Sequence, residues 1–202
     1  MWALVESNSI SKIYTRPTAL QLGDIQYPQN IFSLWTEAEL KAIGIYEITV
    51  DNTNLKDKKY YQNTDITYTY NSSPDTVTGA YGTATANSLT DVLYTATDES
   101  NGLGTEGELR TRGLKYRKKE TINRQANSLL SNYDWYTLRA ASGGTAIPSS
   151  VSTYQAAVRT KANSMCTQID NAADVDALAA LYVYNDATPP VRPLGEFPDE
   201  PS

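Results

Sequence analysis

Residues 128–161 read SLLSNYDWYTLRAASGGTAIPSSVSTYQAAVRTK, and the expected helical part of the fold follows from this stretch and its flanks. Before and within its start, apolar residues recur at helical spacing: Ile122, Ala126, Leu129 and Leu130. From its second half onward, apolar residues are three or four positions apart: Val151, Tyr154, Val158, Ala162, Met165 and Ile169. The pattern predicts a hairpin of two long amphipathic helices.

The connection between these helices contains several distinctive residues. We expect Trp135 to be buried between the helices, and we expect Pro148 in the first turn of the second helix, where no backbone N–H is needed. Arg139 and Arg159 are long enough to reach Asp134 or the carbonyl groups at a helix end. The sequence therefore predicts a set of six residues, here called the structural set, that stabilise the helical hairpin and have no catalytic function. They are Asp134, Trp135, Arg139, Pro148, Tyr154 and Arg159.

In the N-terminal part of the chain, apolar and polar residues alternate as they do in β-strands. Short alternating stretches, interrupted by turn residues such as Gly23-Asp24, predict strands and a hairpin within residues 1–50. Thr36 and Glu39 have capping-box spacing, so we expect one helix at 36–43 that ends at Gly44. Residues 66–81 alternate around a turn at 71–75, which predicts a second hairpin.

Helical patterns dominate the rest of the chain. Leu89, Val92 and Leu93 predict one helix over residues 88–100, and three glycines separate it from a long helix expected over 108–131. A break at 171–174 precedes a last short helix. We therefore predict an α+β fold in three parts: a β-rich domain at 1–85, a helical domain at 86–187 and an extended proline-rich arm at 188–202.

Composition argues against several functions. The 202 residues carry a net charge of −6, so nucleic acid is not the expected main partner, because phosphate binding needs a basic face. The chain has no histidine and one cysteine, which excludes a histidine-based triad and an internal disulfide. Cys166 is expected to be a small buried residue. The predicted helices and loops contain no phosphate-binding loop and no metal-ligand spacing, although a calcium site of carboxylate and carbonyl oxygens stays open.

These observations predict a non-enzymatic protein without a cofactor. The apolar runs are far shorter than a membrane span, and the residues after Met1 lack the pattern of a signal peptide. We therefore expect a soluble chain that is made in a cytoplasm and does not bind membranes.

A basic run is the first candidate for a partner contact. Seven of the 17 basic residues fall within 15 positions: Arg110, Arg112, Lys115, Arg117, Lys118, Lys119 and Arg124. On a continuous helix Arg110, Arg117 and Arg124 would share one side, which would suit an acidic face of a partner protein. The simpler interpretation is a solvated surface that balances Glu106, Glu108 and Glu120.

The proline-rich end is the second candidate for a partner contact. Five of the nine prolines lie in the last 18 residues, so a helix or a central strand is excluded there. Val191, Leu194 and Phe197 are spaced by three, which places them along one edge of a polyproline helix. We predict that this arm packs on a neighbouring chain with Phe197 as its anchor; the alternative is a solvated terminus.

Parts of the sequence resemble known proteins, and this resemblance suggests where the protein functions. Across residues 120–165, Leu129-Leu130, Asp134-Trp135, a proline, Tyr154 and Ala157-Val158-Arg159 resemble a C-terminal module of phage tail-fibre-assembly and tail-associated proteins. This chain departs from that module at Gln155, where the module often has arginine, and in a longer joining loop. The segments MWALVES, YPQNIFSLWTEAEL and VDNTN resemble the start of small structural proteins of marine tailed phages.

The resemblance implies a function in a virion and supplies no catalytic residues. It implies a structural component of the tail or fibre-attachment region, which binds other virion proteins and forms a homo-oligomer within the assembly. The alternatives are a fibre-assembly chaperone that leaves before the particle is complete, and a tail protein that binds a receptor or glycan. The last of these rests only on the many tyrosines of the chain and ranks below the other two.

Overall fold

Strands dominate the first part of the chain and helices the second, which confirms the predicted α+β class. The computed structural model describes residues 1–201. The chain divides into an N-terminal unit, Met1–Thr85, and a C-terminal unit that begins at Ala86.

The N-terminal unit contains short strands and two short helices. The strands are β1 (Trp2–Glu6), β2 (Ser9–Tyr14), β3 (Leu20–Leu22), β4 (Ile25–Tyr27), β5 (Ile45–Asp51), β6 (Tyr61–Gln62), β7 (Ile66–Asn71) and β8 (Thr76–Tyr81). A two-residue strand, β9 (Thr85–Ala86), lies at the boundary of the two units. The helices are α1 (Ile31–Leu34) and α2 (Glu37–Ala42). The sequence predicted α2, its capping box and the terminal Gly44, but not α1.

Five of these strands form one sheet in the order β2-β1-β5-β8-β7. All neighbours are antiparallel except β5 and β8, which are parallel. The predicted hairpin at 66–81 is present as β7 and β8. The two edge strands, β2 and β7, approach each other, so the sheet curls around its own inner face.

The two faces of this sheet carry separate cores. Leu4 and Ile45 project from the outer face and pack with Phe32 of α1 and Leu40 of α2. The inner face is the smaller core: Ala3, Tyr46, Ile48 and Val77 are buried, and Tyr68 and Tyr70 pack against them. This division follows from the alternation of side chains along a strand.

The C-terminal unit is built on a pair of long helices. Its elements are β10 (Val92–Leu93), α3 (Ala96–Ser100), β11 (Leu109–Thr111), α4 (Leu114–Ser131), α5 (Asp134–Ala141), α6 (Ser149–Asn171) and α7 (Val175–Ala180). Helix α4 packs on α6. All six predicted apolar positions of α6 are buried, and the break before α7 lies where the sequence indicated it.

Two helix predictions in this unit are wrong. The helix expected over 88–100 is present only as α3, because Val92-Leu93 pairs with β11 as a short antiparallel hairpin. The helix expected from residue 108 begins at Leu114, because the backbone amides of Leu114 and Lys115 donate to the carbonyls of Ser88 and Leu89. Since Arg110 lies in β11, it does not share a helix side with Arg117 and Arg124.

The prediction for Leu194 is also corrected. Residues 188–201 form no helix or strand, as their prolines require. They fold back within the C-terminal unit: the amide of Leu194 donates to the carbonyl of Leu181 at 3.1 Å, and the Leu194 side chain is 0% exposed. Leu194 therefore packs inside its own chain and offers no surface to another one. Val191 is exposed and Phe197 is half-buried.

Candidate protein-contact surface on helix α5

Helix α5 presents large apolar side chains to solvent. Trp135 is 50% exposed and Leu138 is 69% exposed. The expectation that Trp135 is buried between α4 and α6 is wrong, because residues 134–141 form a helix of their own. Three positions apart on that helix, Trp135 and Leu138 share its outer side, while Tyr136, Arg139 and Ala140 are partly buried.

Arg139 is stacked on the aromatic rings of the same helix. Its guanidinium carbon lies 4.7 Å from the centroid of the Trp135 ring and 5.1 Å from that of Tyr136. The two rings are themselves in contact, with centroids 3.9 Å apart. Spacings of three and four residues bring these side chains together, and cation–π attraction stabilises the arrangement. The arginine does not bond Asp134, which the sequence interpretation allowed as a partner.

The loop after α5 contacts both the backbone and the side chain of Arg139. The amide of Gly144 donates to the Arg139 carbonyl at 3.0 Å. A Cβ atom at Gly144 would lie 2.9 Å from that carbonyl oxygen and from Cγ of Arg139, so glycine permits the close approach. Nε of Arg139 is buried and has no hydrogen-bond partner within residues 1–201. The guanidinium group is therefore positioned by stacking rather than by a salt bridge.

Tyr133 and Tyr154 form an inner aromatic layer, which packs against Tyr136 of the outer pair Trp135 and Tyr136. The Tyr133 ring stacks on Tyr136, with centroids 6.3 Å apart and planes at 19°, and meets Tyr154 of α6 edge to face at 5.3 Å. Tyr154 is buried, and burial raises the pKa of its hydroxyl. The Tyr133 hydroxyl donates to Glu200 at 3.4 Å, and burial is the main reason that its pKa is also raised.

The other residues of the predicted structural set lie apart from this layer. Asp134 is the first residue of α5, and Pro148 is the N-cap of α6, one residue earlier than expected. Arg159 is exposed on α6, with no hydrogen bond or ion pair to a described residue. The structure thus brings together Trp135, Arg139 and Tyr154, with Tyr133 and Tyr136, but not Arg159.

Most of the basic run is balanced within its own unit. Arg110 pairs with Asp98 at 3.1 Å, Lys119 with Asp170 at 2.7 Å, and Arg124 with Glu120 at 3.5 Å. Arg112 pairs with Asp91. These contacts favour the interpretation as a solvated, internally balanced surface, although the acidic partners are mainly aspartates rather than the glutamates expected. Arg117 is exposed, without an ion pair to any described residue.

Sequence reasoning missed the outer side of α5 because Trp135 and Leu138 have the spacing of a buried helix face. A signal was available: Gly143-Gly144 follows soon after, which allows only a short helix. A helix of eight residues between two long ones has little partner surface on which to bury a whole apolar side.

Across positions 1–201 no group of three or more cysteine or acidic residues could hold a metal ion. None of the helices described is both long and apolar enough to cross a membrane. Comparison of the chain with protein-family models, with curated proteins and with solved structures finds no match.

Proposed function

We propose that this protein is a non-enzymatic structural component of a tailed-phage virion, in the tail or fibre-attachment region. It binds neighbouring virion proteins through the outer side of α5. The observation that supports this most directly is the exposure of Trp135 and Leu138 beside the stacked guanidinium of Arg139.

The composition of this surface is that of a protein-binding surface. Tryptophan, tyrosine and arginine are the residues that most often dominate the energy of protein interfaces. Here all three occur within one short helix, and stacking holds the arginine in place before any partner arrives. Pre-ordered side chains lose little conformational entropy on binding, which favours association.

The location in a phage tail rests on the resemblance of residues 120–165 and of the N-terminal segments. The helical hairpin to which that resemblance applies is the scaffold that carries α5. A structural component and an assembly chaperone would both use such a surface, and they differ in whether the protein remains in the finished particle.

Mass spectrometry of purified particles tests the location. We expect peptides of this protein in mature virions of the phage that encodes it, at a constant ratio to tail proteins. Its presence only in unassembled fractions would favour the chaperone, and its absence from both would contradict a virion function.

Paired variants test the surface. Trp135→Ala combined with Leu138→Ala should reduce incorporation into particles about tenfold or more, as truncation of two interface anchors does. Tyr116→Ala combined with Leu103→Ala is the matched control, since both side chains are exposed in the same unit and Arg112 stacks on Tyr116. Equal incorporation of the two double variants would contradict a contact through α5.

A further inference from the structure

The N-terminal unit has a cleft of about 640 Å³ beside strands β7 and β8. Ile66, Tyr68 and Tyr81 lie on the inner face of the curled sheet, and Ile66 pairs with Tyr81 across the ladder. Lys58 and residues 61–65 form the rest of its lining. The mouth of a curled or closed sheet is a common position for small-molecule sites, and this volume is within their usual range.

Hydrogen bonds of two lining residues fix the walls of the cleft. The amide side chain of Asn63 donates to the carbonyl of Lys56 at 2.7 Å and accepts from its N–H at 2.8 Å. Thr64 Oγ1 accepts from the amide of Gly82 at 2.7 Å. These bonds close the loop on itself and attach it to the end of β8, so the cleft is formed before any ligand binds.

The ring of Tyr68 lies close to the backbone of β8 at Gly79. Tyr68 faces Gly79 in the β7–β8 ladder, and a Cβ atom at Gly79 would lie 3.0 Å from two carbons of that ring. Glycine therefore permits the close approach of the tyrosine ring to β8. Together with Tyr61 and Tyr81, it gives the cleft an aromatic lining.

Four polar groups at this lining have no protein partner among the described residues. Among the described residues, Lys58, Asp65 and the hydroxyls of Tyr68 and Tyr81 have no hydrogen bond or ion pair to another side chain or to the backbone. They supply donors and acceptors on several sides. One ammonium and one carboxylate leave the cleft without net charge.

We propose that this cleft binds a neutral saccharide. A sugar ring has apolar C–H faces that pack on aromatic rings, and hydroxyl groups at its edge that need both donors and acceptors. An anionic ligand such as a nucleotide is disfavoured, because Lys58 is offset by Asp65 and the chain carries a net charge of −6. The inference goes beyond the proposed function, which concerns α5 alone.

Titration of the full chain, labelled with ¹⁵N, with neutral methyl glycosides of glucose, galactose, mannose and N-acetylglucosamine tests this directly. We expect at least one of them to shift amide resonances of residues 58–68 and 79–82 at about 20 mM, well above a millimolar dissociation constant. Cytidine monophosphate and N-acetylneuraminic acid serve as anionic probes. No shift with any neutral glycoside, or stronger binding of the anionic probes, would overturn the proposal.

Two variants assign the binding to the cleft. Tyr81→Leu should raise the dissociation constant about fivefold or more, the lower end of what stacking on an aromatic ring contributes. Asp65→Asn should raise it about tenfold, as loss of hydrogen bonds to a charged group does. Asp24→Asn, at an exposed turn of the same unit, is the matched control and should bind like the unaltered chain. If both cleft variants also bind like the unaltered chain, the saccharide site is not here.

Discussion

The ammonium group of Lys161, on α6, donates a hydrogen bond of 3.0 Å to the backbone carbonyl of Leu194. The next residue, Gly195, has a φ of +75°, and a Cβ atom there would collide with Nζ of Lys161. The glycine thus permits both the turn and the approach of the lysine. Because the Leu194 side chain is fully buried at this point, the proline-rich segment contributes to the core of the C-terminal unit.

Replacement of Leu194 by alanine should therefore destabilise the protein. We expect the free energy of unfolding to fall by about 2–5 kcal/mol, the range for truncating a buried leucine. Val191→Ala is the control: it lies in the same segment but is exposed, so the loss should be below about 0.5 kcal/mol. Urea unfolding monitored by circular dichroism measures both. Equal stability of the two variants would mean that the segment is a solvated tail.

Trp135→Ala should have a small effect on stability. Its ring is half exposed on α5, so we expect a loss of about 1 kcal/mol, mainly from its contacts with Tyr136 and Arg139. Met165→Ala, at a fully buried position of α6, should cost about 2–5 kcal/mol. Thermal unfolding of the two variants compares them. A loss for Trp135→Ala as large as that for Met165→Ala would contradict the exposed position.

Long periodic elements could be predicted from the sequence because their patterns are dictated locally. The six apolar positions of α6 and the capping box of Thr36 and Glu39 depend only on residues within a few turns. The β7–β8 hairpin likewise follows from alternation around a short turn.

The segment 88–113 could not be predicted in the same way. Val92-Leu93 has an apolar pattern that suits either a helix or a strand, and its partner strand lies 16 or more residues away in the chain. Pairing over that distance overrides local propensity. The same limit applies to Trp135 and Leu194: helical spacing and proline content do not tell which neighbour covers a side chain.

Gly113→Ala should be strongly destabilising. A Cβ atom at this position, the N-cap of α4, would collide with the carbonyl carbon of Thr90 and lie 2.5 Å from the Leu89 oxygen. Both contacts are with backbone atoms of residues 89–90, and these atoms cannot move without displacing strand β10, which follows them. We expect a loss of at least about 2 kcal/mol, within the range for overpacking.

Gly143→Ala is the comparison for this variant. Gly143 has a φ of +82° but nothing within 4 Å of a Cβ atom, so alanine there meets only the strain of the left-handed backbone, about 1 kcal/mol. Urea unfolding of both variants separates a steric collision from backbone strain. A loss for Gly113→Ala no larger than for Gly143→Ala would show that the segment 88–91 does not lie against the start of α4.

Asp91 should give the stability of the protein a defined dependence on pH. The Gly113 amide, which donates to the Asp91 carboxylate at 2.8 Å, and then the Arg112 guanidinium hold the pKa of Asp91 below its usual value. Because the pKa is lower in the folded state than in the unfolded state, the ionised carboxylate stabilises the fold above about pH 4, the ordinary aspartate pKa. This contribution is lost as the pH falls through the folded-state pKa.

Asp91→Asn should therefore be less stable than the unaltered chain at pH 7, and the difference should narrow as the pH falls below about 4 and on through the lowered folded-state pKa of Asp91. Asparagine keeps the shape and the acceptor for the Gly113 amide, so the comparison isolates the charge. Asp24→Asn is the control, because Asp24 has no hydrogen-bond partner among the described residues. Its stability should equal that of the unaltered chain at pH 7 and at pH 3. Midpoint temperatures of thermal unfolding at pH 7 and pH 3 measure the effect. If Asp91→Asn lowers the midpoint equally at both pH values, the charge of Asp91 does not stabilise its contact with Arg112 and Gly113.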